Sequence, residues 1–300
     1  MRIRPGIFTF LGGLVLLSLG CHAPEKTAAE TGVPRVFVSI APQAFFVEEL
    51  AGDLVQTEVL APPDASPATY EVTPRQMERL SRAAAYFRIG VPFERALAPR
   101  IEANCPNLRV VRMHQDVALR EMGHGGHEHA GHHHGGEDPH VWLDPVRAKQ
   151  LAENTARVLA EVLPEARQTL QDNLDGLKTR LDNLHQDIKE LLAPVRGKTL
   201  YVYHPAYGYF AGRFGLRQKA VEHEGKSPNL GNIEAIADAI REEHAGALFV
   251  QPQFSTDTAE AVARAAEVEL VQLYPLARAY IANLKHMAQQ VRNALLPQTQ

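Results

Sequence analysis

Histidines are concentrated in one short stretch of the chain, and neutral imidazole is a good ligand for zinc and neighbouring first-row metals. The segment GHGGHEHAGHHHGGEDPHVWLDP, residues 123–145, holds seven of the 14 histidines. Glycines interrupt its first part and no hydrophobic period is present, so residues 123–136 are predicted to form a loop. The loop histidines are His124, His127, His129, His132, His133 and His134.

The glycine content of this loop predicts weak metal binding in several geometries, because ordering a flexible segment around one ion costs conformational entropy. A tethered weak site would still raise the metal concentration beside a tighter one. The alternative is a solvated linker that is merely rich in histidine. We interpret the loop as a weak metal-binding segment that raises the local metal concentration, and we look for the tighter site at its edge.

His140 and His204 are the candidates for that tighter site. His140 follows a proline in EDPHVWLDP, and His204 ends the strand-like run KTLYVYHP. A lone histidine at the end of an element is more often a hydrogen-bonded loop residue than a ligand. Two such histidines beside a polyhistidine loop favour a shared metal ion, provided that the two halves of the chain face each other.

Acidic side chains close to these histidines are further candidates. VEHEG places Glu222, His223 and Glu224 together, and strand alternation would direct the two glutamates to one side and the histidine to the other. They are either additional ligands or solvated charges.

Other chemistries find little support in the sequence. Ser39, Ser66 and Ser227 lack a G-x-S-x-G setting, and neither H-E-x-x-H nor a glycine-rich phosphate loop occurs. A net charge of -4 gives no basic field that would attract nucleic acid. We therefore expect a protein that is not an enzyme and has no nucleic-acid partner.

The N-terminus predicts export. Arg2 and Arg4 precede an apolar run that is too short to span a bilayer comfortably, which is typical of a signal peptide over residues 1–20. Cys21 follows directly and is a candidate for lipidation, although the position three residues earlier is Ser18, where such sites usually have leucine; a plain secreted protein is the alternative. Residues 21–33 read as a polar tether. Cys105 would then be the one free thiol, which excludes a disulfide framework.

Alternating strand and helix patterns predict an α/β fold with mostly parallel sheets. We expect an N-terminal lobe over 34–145, linking helices over 146–197 and a C-terminal lobe over 198–300. A long helix should join the lobes, with Pro164 dividing the helical region. Its predicted apolar stripe consists of Leu170, Leu174, Leu177, Leu181, Leu184, Ile188 and Leu191. Ligands of such sheets bind at the carboxyl ends of the strands, so the cleft between the lobes is the expected site.

These features resemble the zinc/manganese solute-binding proteins of bacterial ABC importers, the ZnuA/TroA-like family. The likeness runs from about residue 33 to 296 and rests on the lobe–helix–lobe order, PPDASPATYEVTP, the histidine-rich loop, DPHVWLDP, YHPAYGYF and VQPQFS. It implies two α/β lobes joined by a long rigid helix, one metal between them, and His140 and His204 among its ligands. An ABC permease and its ATPase would be the partners of a monomer that is periplasmic or lipid-anchored.

Two ligands of the family pattern are replaced in this chain. Ala68 or Thr69 stands where a histidine is expected, and Tyr274 stands where an aspartate is expected. Glu71, Asp64, Glu222, His223, Glu224, Tyr274 or a loop histidine could complete the shell. Imidazole ligands favour Zn(II) over Mn(II). The alternatives are a degenerate binder with weak affinity, a surface zinc buffer or adhesin and, as a third class, a metal-dependent hydrolase.

Overall fold

The computed structural model describes residues 32–122, 136–222, 230–254 and 256–296. Residues from Val33 onward form one compact unit. The predicted signal peptide, Cys21, the loop histidines, His223 and Glu224 lie outside the described residues. Within the described part, no helix is both long enough and apolar enough to cross a membrane.

A parallel four-stranded sheet occupies the first half of the chain. Its strands are β1 (Arg35–Ile40), β2 (Gln56–Ala61), β3 (Ala85–Arg88) and β4 (Arg109–Arg112), in the order β2-β1-β3-β4. Its helices are α1 (Ala41–Ala51), α2 (Pro74–Leu80) and α3 (Phe93–Asn104). Thr73 caps α2, since its hydroxyl accepts a hydrogen bond from the Gln76 amide at 3.2 Å. The sequence pattern did not predict α3, whose interior contains Pro99.

Two antiparallel helices connect the halves. They are α4 (Pro145–Val162) and α5 (Arg167–Leu192), separated at Pro164 as predicted. The buried stripe of α5 matches the prediction up to Ile188, but its last member is Leu192, whereas Leu191 is only half-buried. The prediction was wrong there because an α-helix has 3.6 residues per turn, so a strict four-three alternation drifts off the buried face.

A second parallel sheet repeats the arrangement of the first. Its strands are β5 (Thr199–Val202), β6 (Arg217–Ala220), β7 (Ala247–Val250) and β8 (Glu269–Gln272), in the order β6-β5-β7-β8. Its helices are α6 (Gly208–Phe214), α7 (Leu230–Glu242), α8 (Thr256–Ala266) and α9 (Tyr280–Leu295). The short helix α6 was not predicted, and it contains Gly208 and Gly212, which lower helix propensity.

One hydrophobic core runs through both halves. Val38 of β1, Leu181 of α5 and Phe249 of β7 are fully buried members of the same cluster. Helix α5 packs against α1 on one side and α9 on the other, so it contacts helices that flank both sheets. A smaller cluster covers the other face of the second sheet and includes Leu248 and Val262. Both faces of the second sheet are therefore covered, as is usual for parallel sheets.

Candidate metal centre

The structure brings His140 and His204 together. Their ring centroids are 5.5 Å apart and the rings lie at 73° to each other. Each side chain is largely but not completely buried, with 12% of His140 and 20% of His204 exposed. The two residues are 64 positions apart in sequence, so the fold, and not local chain geometry, places them side by side.

Asp138 fixes the orientation of the His140 ring. One carboxylate oxygen lies 2.7 Å from Nδ1 of His140 and accepts a hydrogen bond from the His140 amide at 3.0 Å. Asp138 itself is 2% exposed. A buried carboxylate that holds both the backbone and the ring of its neighbour leaves the imidazole little rotational freedom.

The segment that carries His140 is fastened to the second half of the chain. The Tyr209 hydroxyl of α6 donates to the Asp138 carbonyl at 2.9 Å, and the Trp142 indole donates to the Pro275 carbonyl at 2.9 Å. Tyr280 of α9 also donates to the Trp142 carbonyl. Burial raises the pKa of Tyr209, which keeps its hydroxyl protonated at neutral pH. The position of His140 is therefore fixed relative to the half of the chain that carries His204.

His204 lies two residues beyond the end of β5. A carboxylate oxygen of Glu222 lies 3.0 Å from its Nδ1, and the ring of Phe254 stacks on it with centroids 4.9 Å apart. Glu222 is 7% exposed and follows β6, the strand that pairs with β5. Neighbouring parallel strands thus deliver the imidazole and its carboxylate partner to the same edge of the sheet.

The two carboxylates determine which nitrogen is available for a metal. An ionised carboxylate only accepts hydrogen bonds, so the proton of each neutral imidazole sits on Nδ1 and the Nε2 lone pair is left for a metal. Imidazoles that share a tetrahedral zinc ion at a Zn–N distance of about 2.0–2.1 Å have centroids roughly 5–6 Å apart. The observed 5.5 Å fits such a pair.

Comparison with known proteins identifies the family of this chain. Residues 36–294 match the family model described as ZnuA, the periplasmic component A of a zinc-uptake complex. The chain belongs to the ZnuA family. It is 30% identical over 263 residues to the high-affinity zinc uptake system protein ZnuA of Yersinia pestis, covering 80% of this chain and 82% of that protein.

Solved structures agree with this membership. A crystal structure of ZnuA superposes with a TM-score of 0.82 at 34% identity and covers 88% of this chain and 100% of that one. A zinc-bound ZnuA deletion mutant gives the same score and identity, covering 89% and 100%. TroA of Treponema pallidum, at 21% identity, a TM-score of 0.75 and coverage of 88% and 99%, shows the shared fold. The expected two-lobed α/β fold is confirmed.

The remaining candidate ligands are placed less favourably. Asp64 and Glu71 are exposed, and Tyr274 is 42% exposed with its hydroxyl donating to Gln272 at 2.8 Å. Ala68 is exposed as well. Within the described ranges, no group of three or more histidine, cysteine or acidic side chains is arranged to hold a metal ion. The ligand roles of Glu71 and Glu222 stay predictions.

Two residues of the centre, Asp138 and Phe254, were not predicted from the sequence. Asp138 stands two positions before His140, so DPH contained a usable signal: a carboxylate at that spacing can return to the ring of the histidine. Nothing local marked Phe254, because its contact with His204 forms only when the loop after β7 meets the end of β5.

We predict that Glu222→Ala weakens zinc binding by about 10- to 100-fold, the usual effect of losing a carboxylate that orients a ligand histidine. Glu222→Gln should lose less zinc affinity, because its amide oxygen can still accept a hydrogen bond from Nδ1 of His204. Isothermal titration of metal-stripped protein would measure both variants. Glu243→Ala is the matched control, since Glu243 bonds Thr199 at the opposite end of β5. Equal zinc affinities for Glu222→Ala and Glu243→Ala would refute the orienting role.

Proposed function

We propose that this protein captures Zn(II) outside the cytoplasmic membrane for delivery to an ABC importer. The observation that carries the proposal is the His140–His204 pair, with a carboxylate on Nδ1 of each ring. The zinc-uptake function of the ZnuA relatives supports it. The transported ion would sit between the two Nε2 atoms.

Zinc is favoured over Mn(II) by the chemistry of the donors. Imidazole nitrogen suits zinc, whereas manganese prefers oxygen-rich shells. The ZnuA deletion mutant among the structural neighbours was also crystallised with zinc bound, which supports the same choice of ion.

Two imidazoles do not fill a tetrahedral shell, and transported zinc must be released again. A site of two or three protein ligands plus water suits reversible capture better than a closed structural site with four. His223 and Glu224 directly follow Glu222 in sequence, and we propose them as the first candidates for a third ligand. Glu222 itself contacts the ring of His204 at Nδ1, which supports a positioning role for that residue.

The histidine-rich loop would bind zinc weakly and raise its concentration near the tight site. Glu121 and Glu137, just outside the loop, form an antiparallel bridge, so its two ends lie side by side. This arrangement supports a tethered loop that can be shortened without displacing the elements on either side.

Deleting residues 123–135 should therefore remove several weak zinc equivalents and change the tight site by less than about threefold, because the loop acts through local concentration. Stepwise titration with a competing chelator would separate the two classes of site. Loss of all binding would instead support the surface buffer or adhesin, in which the loop itself is the functional part.

We also propose that the protein is not an enzyme. A catalytic zinc site needs a general base within hydrogen-bond reach of a bound water. The carboxylates nearest the two imidazoles, Asp138 and Glu222, are both engaged with Nδ1 atoms. Zinc-dependent hydrolysis of any ester or phosphoester in a broad panel would overturn this part of the proposal.

The cellular context follows from the N-terminal sequence and the family. We propose export through the signal peptide at residues 1–20, lipidation of Cys21, a tether over 21–33 and the lobe boundaries given above. A monomer would then work with an ABC permease and its ATPase at the membrane. Mass spectrometry of the mature N-terminus tests the anchor: a diacylated Cys21 is expected, and an unmodified N-terminus would refute it.

Direct zinc titration of metal-stripped protein tests the main proposal. One tight site that depends on both His140 and His204 is expected. The absence of a tight site would favour the degenerate binder with weak affinity. A tight site indifferent to both residues would refute their role as ligands.

A further inference from the structure

A second concave site, which shares no lining residue with the metal centre, lies at the outer edge of the first sheet. It is a cavity of about 550 Å³ lined by residues of β3, β4, α3 and α4. Its floor is buried and includes Tyr86, Ile101 and Val111. A volume of this size lies within the range of small-molecule sites, roughly 300–1,000 Å³.

The charge of this cavity is unbalanced. Four arginines line it, Arg88, Arg109, Arg112 and Arg157, against two glutamates. Arg109 is paired with Glu161. Within the described part of the chain, no salt bridge engages the other three arginines.

The two glutamates can offset only part of the charge of the four arginines. Glu94 is 5% exposed, and its oxygens accept hydrogen bonds from the Ser39 hydroxyl and from the amides of Ile89 and Gly90. Burial raises the pKa of Glu94, whereas its hydrogen bonds and the charge of Arg88 act in the opposite direction. Glu102 is exposed to solvent.

Strand register places two of the cations side by side. Arg88 of β3 and Arg112 of β4 are direct partners in the parallel ladder, so their side chains leave the same face of the sheet. The two positive charges repel each other, and an anion bound between them would relieve that repulsion. Their field also reaches His114, whose pKa is lowered first by burial and then by Arg112 and Arg88.

The rest of the lining is aliphatic. Ala98 and Ile101 come from α3, Val158 comes from α4, and Val110 of β4 is 42% exposed. A bare inorganic anion would leave this surface in contact with water, whereas an organic body would cover it. Guanidinium groups bind carboxylate and phosphate through paired hydrogen bonds.

We propose that this cavity binds a small organic anion, with its carboxylate or phosphate group held by Arg88 and Arg112 and its hydrocarbon part against the aliphatic wall. The site is independent of zinc capture. The competing explanation is that the arginines only protect the free edge of β4 from pairing with another strand, which needs no ligand.

Titrating the metal-free full chain separately with succinate, glycerol 3-phosphate and inorganic phosphate tests the proposal, with amide chemical shifts as the readout. At least one organic anion should bind more tightly than inorganic phosphate, with a Kd below about 1 mM. Arg88→Gln and Arg112→Gln should each weaken it by about tenfold or more, whereas Arg264→Gln, on the exposed surface of α8, should not.

The proposal would be overturned if neither organic probe showed saturable binding up to about 10 mM. It would also be overturned if inorganic phosphate bound as tightly as the organic probes, or if the affinities were unchanged in both variants. Thermal melting of each variant shows whether it is folded. Should Arg88→Gln fail to fold, Arg112→Gln provides the same test from an exposed position on β4.

Discussion

Replacing His204 with alanine should weaken zinc binding by at least about 100-fold, or roughly 3 kcal/mol, and His140→Ala should do the same. Each substitution removes one of the two imidazoles that the fold brings to a centroid separation of 5.5 Å. The remaining histidine cannot chelate alone, so the ion would be held by one nitrogen and water. Chelator competition on protein lacking residues 123–135 would measure this effect without interference from the loop.

Two controls separate ligand loss from damage to the fold. His286→Ala removes an imidazole from the exposed face of α9 and should leave the affinity unchanged. The double variant His140→Ala/His204→Ala should be little weaker than either single variant, because the chelate is already broken in each. A His204→Ala protein that binds zinc within threefold of the parent would contradict the site.

The largest stability effect is expected at Asp144. Asp144→Ala should lower the free energy of unfolding by about 3 kcal/mol. Asp144 is fully buried, and its carboxylate caps α4 by accepting from the Val146 amide at 2.9 Å. It also accepts two hydrogen bonds from Arg213, both at 2.8 Å, and pairs with Arg147. Alanine would uncap the helix and leave both guanidinium groups without their partner.

Urea denaturation of the metal-free protein would measure that loss. Asp182→Ala is the matched control, since Asp182 also pairs with a cation, Lys149 at 2.6 Å, but is 56% exposed. An exposed pair of this kind contributes at most about 1 kcal/mol. Asp144→Asn should fall between the two, because it keeps a capping oxygen but loses the charge. A loss below about 1 kcal/mol for Asp144→Ala would show that the arginines find other partners.

Much of the fold was predictable because its signals are local. Apolar runs bounded by proline or glycine marked the strands, and the spacing of Leu170 to Ile188 marked the buried face of α5. The capping role of Thr73 followed from its position before Pro74. Helix α3 was missed because Pro99 interrupts the pattern, although the surrounding turns and the core at Leu97 and Ile101 stabilise it.

The site was predictable only in part. His140 and His204 stood out by residue type and position, and their proximity followed from the expected arrangement of the two lobes. The carboxylate of Asp138 could have been inferred from DPH, whereas the contact between Glu222 and His204 forms only when β5 and β6 pair. The attachment of the His140 segment to Tyr209, Pro275 and Tyr280 is likewise a tertiary feature, formed by residues 71 to 138 positions apart in sequence.

That attachment explains how the position of His140 is fixed relative to His204. The DPHVWLDP segment is bound to α6, Pro275 and α9 of the second half. The Asp138 amide also donates to the Arg120 carbonyl at 2.8 Å, so residues of the first half hold the same segment. Rigid placement of both ligands lowers the entropy lost on binding the ion.

A crystal structure of the zinc-loaded protein, recorded with anomalous data at the zinc edge, tests the central claim most directly. One strong zinc peak is expected, with Nε2 of His140 and Nε2 of His204 both at about 2.0–2.1 Å. Asp138 and Glu222 should still contact the Nδ1 atoms. A fully occupied zinc bound elsewhere, with these two rings uncoordinated, would contradict the account.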